Sequence, residues 1–452
     1  MTLTSSRGLS RRRLLIGGAT LLAAPAVIGT AQSQGAADAD VVIIGGGAAG
    51  IAAARRIAQA GRSHLLLEAG ATLGGRARTE TVFGLPADLG TASFSRDPSG
   101  LAAAARAADL PLTTLAGQRL FVDGRDARES AYDAFAAALG RARREIVASA
   151  DAGRDVPVAR VLPAPGPWSA SAGACIGPLD LGKDLDALST LDLALRGAVP
   201  DDLSSPMGVG ALLEALGTQL NQQTHAPVSI ITNNGRFHTV SVAGQRATIR
   251  ARAIVLAVPA PVIAAGAIRF NPVLPPRLAA AFRAFPAGAL EQVAFLLPGN
   301  PFGLQPDERV LPTRTDTLAP LARLHGRVNG SDLHILTFGG APARQIAEKG
   351  ETAALALARD ALNRGFGNEA GEAIREVVAS AWTRDPLFRG ALSSALPGQG
   401  GLRRLFAEPV QNRIFLAGDY TSLENWGTLA GAWASGEVAA AKALRLLGNG
   451  PA

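Results

Sequence analysis

The sequence predicts an α/β protein organised on a Rossmann-like, doubly wound βαβ nucleotide-binding unit, and three observations near its start carry that prediction. Val41 to Ile44 is a continuous apolar run bounded by Asp40 and a glycine cluster, as in a parallel strand buried on both faces. Gly45, Gly47 and Gly50 follow in the spacing G-x-G-x-x-G, where the chain passes from strand to helix. Glu68 closes a second apolar run, Leu65 to Leu67, 18 residues after Gly50. In a chain of 52 glycines the glycine spacing alone decides little. Strand, helix and terminal acid in the right order make the assignment.

Taken in order, residues 1–37 read as an address rather than as part of the fold. Ser10-Arg11-Arg12-Arg13 opens an apolar segment, Leu14 to Ile28, too short and too rich in Gly and Ala for a stable membrane span. Gly29-Thr30-Ala31 offers small residues for cleavage. The pattern is that of a twin-arginine export signal and predicts a periplasmic or secreted protein; an ordinary secretion signal and an uncleaved anchor are the alternatives. Without Arg7, Arg11, Arg12 and Arg13 the formal charge falls from +7 to +3, so the basic pI does not argue for nucleic acid. The single cysteine, Cys175, excludes an intramolecular disulfide and a cysteine-based zinc site. The five histidines form no spaced pair, and no metal is expected.

Each part of the βαβ unit has a mechanical reason. Gly45 allows the tight turn, Gly47 lets the backbone approach a pyrophosphate, and Gly50 lets the helix pack close to the strand. The amides around Ala48 and Ala49 then point at the phosphates. Ile51 to Ala60 is an alanine-rich helix with Gly61 as its stop. Glu68 is placed to bind ribose hydroxyls. Leu73-Gly74-Gly75-Arg76 is a second glycine turn, whose arginine can add charge to the same pyrophosphate.

Here the chain resembles the flavin-containing amine oxidase superfamily, in which a GxGxxG unit is followed by an acid and then L-G-G-R. The resemblance implies FAD, and with it a Rossmann-like FAD domain interleaved with an α+β substrate domain. On that basis residues 38–100, 206–265 and 401–452 form the FAD domain, and residues 101–205 and 266–400 the substrate domain. It also implies that the segment after Asp88, with Gly90, Thr91, Ala92 and Ser93, runs beside the ribityl chain and flavin ring.

Residues 100–205 show helical patterns broken by a Pro/Gly/Ser stretch, Pro163 to Gly177, with Asp133, Arg141, Arg143 and Arg144 on a solvated face. Met207 to Leu216 resembles the family's glycine-led helix, and Val228 to Ile231 reads as a strand whose first valine contacts adenine through its backbone in the family. Ala253 to Pro259 is another buried parallel strand, and Phe270-Asn271-Pro272-Val273-Leu274-Pro275 continues a family signature.

Two positions depart from the family, the first on a strand of the substrate domain. Where its oxidases carry a lysine that holds a water against flavin N5, this chain has Gln292, and its lysines, Lys183, Lys349 and Lys442, lie elsewhere. An amide lacks the charge that helps reduced flavin react with oxygen, so the acceptor is expected to be oxygen reacting slowly or a periplasmic electron carrier. Trp382-Thr383-Arg384-Asp385-Pro386 with Gly390 matches a family block whose tryptophan packs near the flavin; a plain core aromatic is the alternative for Trp382. Ala391 stands where some relatives have a flavin-bonded cysteine, which implies non-covalent FAD. Gly418 and Asp419 match the closing fingerprint, in which the acid bonds the ribitol, and Gly431-Ala432-Trp433 begins a long helix.

At Thr428 amine oxidases usually carry an aromatic cage residue, and this position also looks like that of carotenoid and terpenoid desaturases. The resemblance therefore implies oxidation of a C–H bond beside an amine nitrogen, with hydride passing to flavin N5 and with Trp382, Gln292 and Thr428 lining the reacting face. A small-molecule amine is the expected partner. A desaturase of an isoprenoid and a flavin-binding protein without turnover are the alternatives.

Overall fold

The strand Ala39–Ile44 (β1) is the axis of the first sheet because all its apolar side chains find buried places. Val41 and Ile43 enter one core layer, Val42 and Ile44 the other. The chain is represented by a computed structural model that describes residues 38–96, 100–197, 202–313, 321–367 and 369–448; the expected export signal at residues 1–37 lies outside them. β1 pairs in parallel with His64–Leu67 (β2) on one side and with Thr248–Leu256 on the other, the strand expected around Ala253. Val228–Asn233 and His238–Val242 extend this sheet of eight strands as an antiparallel pair, and Ile414–Leu416 joins it in parallel.

The helix Ala48–Gln59 (α1) lies on this sheet with alanines toward the core. A Cβ on Gly50 would sit 1.8 Å from the Gly45 carbonyl oxygen, so the strand-to-helix turn closes only around glycine. The closing helix Leu429–Leu446 packs on α1 just as closely, since a Cβ on Gly436 would stand 2.0 Å from the Ala49 carbonyl oxygen.

Among the described residues the second sheet has seven strands and takes its central members from Leu290–Leu296, Ala322–Gly326 and Leu333–Gly339, with Gln118–Val122 toward one edge. Helices Ala341–Lys349 and Glu351–Phe366 cover one face. The chain thus passes between the two sheets several times. The strand Arg269–Asn271 and the helix Pro276–Ala284 still belong to the first sheet and its core, beyond the boundary expected at residue 265.

The stretch Pro163 to Gly177, read from sequence as a break, contains the helix Ser169–Ile176. Its small residues are what let it form: Ser171, Ala172 and Gly173 are buried, and a Cβ on Gly173 would press at 3.2 Å on Leu185. Tertiary packing overrides the local signal there. Asp133, Arg141, Arg143 and Arg144 are exposed along the helix Glu129–Asp151, as the charge pattern indicates.

Lys183 is buried, and its Nζ donates to the Ser394 carbonyl at 2.8 Å. Burial pulls its pKa down to about 7, opposed by the Asp192 carboxylate and aided by Arg403. Between that value and the ordinary lysine value of 10.5 the unfolded chain holds a proton that the folded chain does not, so stability rises with pH across this window. We expect the unfolding free energy of the wild type, relative to Lys183→Met, to increase by on the order of 1 kcal/mol per pH unit from pH 7 toward 10. Denaturant melts of both proteins at pH 6, 8 and 10 check this, and a pH-independent difference would refute it.

Candidate active site

Two glycine turns face each other at the start of α1. Gly74 donates its N–H to the Gly46 carbonyl at 2.9 Å, and a Cβ on Gly75 would lie 3.1 Å from Gly47 Cα. A Cβ on Gly47 itself would meet no protein atom nearer than 3.8 Å. The trough between the turns is therefore open beside a helix start that no side chain caps. Amides without an internal partner at a helix N-terminus attract phosphate.

Glu68 follows β2 with only 8% of its surface accessible. One carboxylate oxygen accepts from the Gly46 N–H at 2.6 Å and the other from the Gly70 N–H at 2.7 Å. Each oxygen keeps lone-pair capacity for a further donor, which suits a ribose diol. Ala226 donates to the Glu68 carbonyl at 2.8 Å, which brings the neighbouring Val228 to this part of the site.

Gly45, Gly47, Ala49, Glu68, Gly75, Arg76 and Val228 all line one cavity of about 530 Å³. Gly90, Thr91, Ala92 and Ser93, with Gly418 and Asp419, line it further along. Gly50 does not; its role is in the turn beneath. Arg76 and Asp419, read from sequence as serving different parts of the cofactor, meet directly in a two-point ion pair. Arg76 also donates to the Ala391 carbonyl. An open phosphate trough, a buried acid with spare acceptor capacity and a continuous cavity from the first sheet to the second fit an FAD.

The second sheet supplies the far wall. Gln292 lines the cavity, but its amide is held at both ends: Nε2 donates to the Gly90 carbonyl at 3.2 Å, and Oε1 accepts from Trp382 Nε1 at 3.2 Å. Trp382 Nε1 also donates to the Leu89 carbonyl at 2.6 Å, and the Arg78 guanidinium lies 4.4 Å above the ring. The indole thus borders the cavity while belonging to the core. Thr428 lines the cavity too, but its hydroxyl is engaged as a helix cap, accepting from Gly431 N–H at 2.9 Å and donating to the Asn425 carbonyl at 2.8 Å. It contributes a wall, not a reactive group. Trp426 is fully buried, with its Nε1 donating to the Asp192 carbonyl at 3.1 Å, and forms no cage.

Sequence reasoning missed four residues. Glu291, beside Gln292, is buried and accepts from Ser380 Oγ, Trp382 N–H, Thr383 N–H and Thr383 Oγ1 at 2.6 to 2.9 Å. An acid within the apolar run Leu290–Leu296 was a readable sign of such a role. Asp180, Arg196 and Arg323 also line the cavity, from three separate segments with no shared motif.

The comparisons with known proteins agree with this geometry. The family model described as flavin containing amine oxidoreductase matches residues 187–444, and one described as NAD(P)-binding Rossmann-like domain matches residues 43–105. Polyamine oxidase 5 of Oryza sativa subsp. japonica is 24% identical over 92% of this chain and 90% of its own. Among solved structures, putrescine oxidase bound to putrescine superposes with a TM-score of 0.76 at 20% identity, covering 90% of this chain and 99% of that one. Cyclohexylamine oxidase from Brevibacterium oxydans IH-35A gives 0.74 at 21% identity, covering 91% and 100%. The match over residues 187–444, more than half of the sequence, places the chain in the flavin-containing amine oxidoreductase family, as an FAD-dependent amine oxidoreductase whose cofactor is held non-covalently.

Proposed function

We propose that this protein oxidises an amine at the carbon beside nitrogen, in the part of the cavity bordered by Trp382, Gln292 and Thr428, and that it is exported before it acts. The observation that carries the reading is a single cavity lined both by the glycine trough with Glu68 and by the Gln292 and Trp382 wall. When bound, the flavin accepts the two electrons and the hydrogen that leave that carbon. The chain's own work is to hold and to exclude. Gln292 ties the Gly90 backbone to Trp382, so the reacting wall is fixed before substrate arrives. The helix beginning at Leu429 turns its N-terminus to the same cavity, where it favours negative charge. The charged side chains Asp180, Arg196 and Arg323 in the lining weigh against an apolar isoprenoid.

Among the described residues no lysine lines the cavity, which supports slow reaction with oxygen and transfer of electrons to a carrier. The twin-arginine pattern at Ser10 to Leu15 supports a periplasmic or secreted location. One experiment addresses these points: the mature protein, recovered from the periplasm, is mixed anaerobically with primary, secondary and cyclic amines, and then with oxygen or an artificial electron acceptor. We expect an amine to bleach the oxidised flavin band and the artificial acceptor to restore it faster than oxygen does. Gln292→Lys should accelerate reoxidation by oxygen by about tenfold or more, equivalent to ~1.4 kcal/mol of barrier. Bleaching by no amine would sink the activity. Fast reoxidation of the wild type by oxygen would sink the acceptor reading, and recovery from the cytoplasm alone the export reading.

A further inference from the structure

Gln292, Thr337 and Arg323 stand in one row across the second sheet. Gln292 pairs with Thr337, Thr337 pairs with Arg323, and all three line the large cavity. Two strand spacings of about 4.8 Å put the Arg323 backbone about 10 Å from that of Gln292. Beyond Arg323 a second cavity, of about 360 Å³, opens against the helix Glu129–Asp151, and Asp180, Arg196 and Arg323 line both. These three side chains form the passage between the reacting wall and that outer cavity.

The passage carries an excess of positive charge. Asp180 is ion-paired with Arg196, and Arg323 and Arg143 also act on its carboxylate. Burial pushes the Asp180 pKa up, but the three guanidiniums outweigh it and hold the carboxyl below its ordinary value. One carboxylate thus faces three guanidiniums. The other acids of the large cavity are committed: Glu68 to the Gly46 and Gly70 amides, Asp419 to Arg76. Arg323 has room for a ligand, since among the described residues it closes no ion pair, and its Nε is buried without a hydrogen-bond partner. Besides Asp180, the Cys175 thiol, kept neutral by burial, hydrogen-bonds the Arg323 guanidinium without giving it a counter-charge. A guanidinium in this state is built to take an anionic oxygen pair. A di- or polycation would meet repulsion on the same path.

We propose that the substrate is an amine that carries its own carboxylate several bonds from the carbon to be oxidised, and that Arg323 takes that carboxylate. The inference rests on the amine reading above and adds the substrate class. The row from Gln292 to Arg323 sets the separation, and the excess of arginine over acid sets the sign. Relatives named for polyamines share the fold, and the charge of this passage points to a different substrate.

The test uses the holoenzyme and calorimetric binding of butanoate, butylamine and 4-aminobutanoate, followed by anaerobic flavin bleaching with butylamine, putrescine and 4-aminobutanoate. Butanoate should bind the wild type and bind Arg323→Gln at least tenfold more weakly, with butylamine little changed. Arg323→Lys, which keeps the charge, should recover part of the butanoate affinity, and an unchanged flavin-to-protein ratio in both variants shows that the fold is intact. Absence of butanoate binding, or binding indifferent to Arg323, overturns the proposal. If butylamine or putrescine then bleaches the flavin, the amine reading stands while this proposal falls. If butanoate binds through Arg323 and no amine bleaches the flavin, the carboxylate site stands and the amine reading falls.

Discussion

Gly47→Ala is expected to give a folded protein that binds FAD about a hundredfold more weakly, whereas Gly50→Ala, the same chemical change three residues on, is expected to prevent folding. The difference lies in what each added methyl would meet. At Gly47 the backbone is extended (φ −76°) and the nearest protein atom to the new Cβ is 3.8 Å away, an ordinary contact. The protein alone therefore tolerates alanine. The methyl would nevertheless occupy the trough between the two glycine turns and hold a pyrophosphate off the amides of Ala48 and Ala49. Hydrogen bonds to a charged group contribute ~1.5–3 kcal/mol each, so loss of one or two is enough for the predicted factor.

At Gly50 the methyl would lie 1.8 Å from the Gly45 carbonyl oxygen, and backbone cannot step aside as a side chain can. α1 would have to lift from β1, which opens the core between them; overpacking of this kind costs ~1–3 kcal/mol even where neighbours can yield. Flavin-to-protein absorbance ratio, FAD titration of the stripped protein and thermal melts separate the two outcomes. A Gly47→Ala protein that retains wild-type FAD affinity would show that the cofactor's phosphates lie elsewhere.

The contrast also explains what could be read from sequence. The glycine roles and Glu68 were legible because they depend on fewer than thirty consecutive residues, in which strand, turn and helix fix one another. Gly418, Asp419 and the last helix were legible by resemblance, since they repeat a family block. What could not be read was set by register between distant strands. Gln292 meets Thr337, and Thr337 meets Arg323, only because three strands pair with those partners. Arg76 and Asp419 are 343 residues apart, and no local pattern announces their ion pair. The same limit governs Thr428. Its place three residues before Gly431 is a capping spacing that local reasoning could have used, yet the family analogy drew attention to a cage.

Glu291 is the residue whose loss should damage the reacting wall most, although it does not itself line the cavity. Its carboxylate accepts four hydrogen bonds, two of them from the backbone N–H groups of Trp382 and Thr383, and so fixes the turn that aims the indole at Gln292. In Glu291→Ala the hydroxyls of Ser380 and Thr383 can rotate to new acceptors, but the two N–H groups cannot. Leaving them buried and unpaired, together with the void, should cost about 4 kcal/mol. Glu291→Gln has nearly the same shape and should rescue little. An amide offers one acceptor oxygen, and its NH₂ group would face an N–H or O–H donor where the carboxylate had presented a second oxygen. We therefore expect the alanine and glutamine variants to melt well below the wild type. Both should turn over poorly even when loaded with FAD, because Trp382 and Gln292 lose their fixed separation. Denaturant melts read the first effect and single-turnover flavin reduction the second. A glutamine variant that matches the wild type in both would show that shape alone, not the carboxylate's acceptor capacity, holds the Trp382 turn in place.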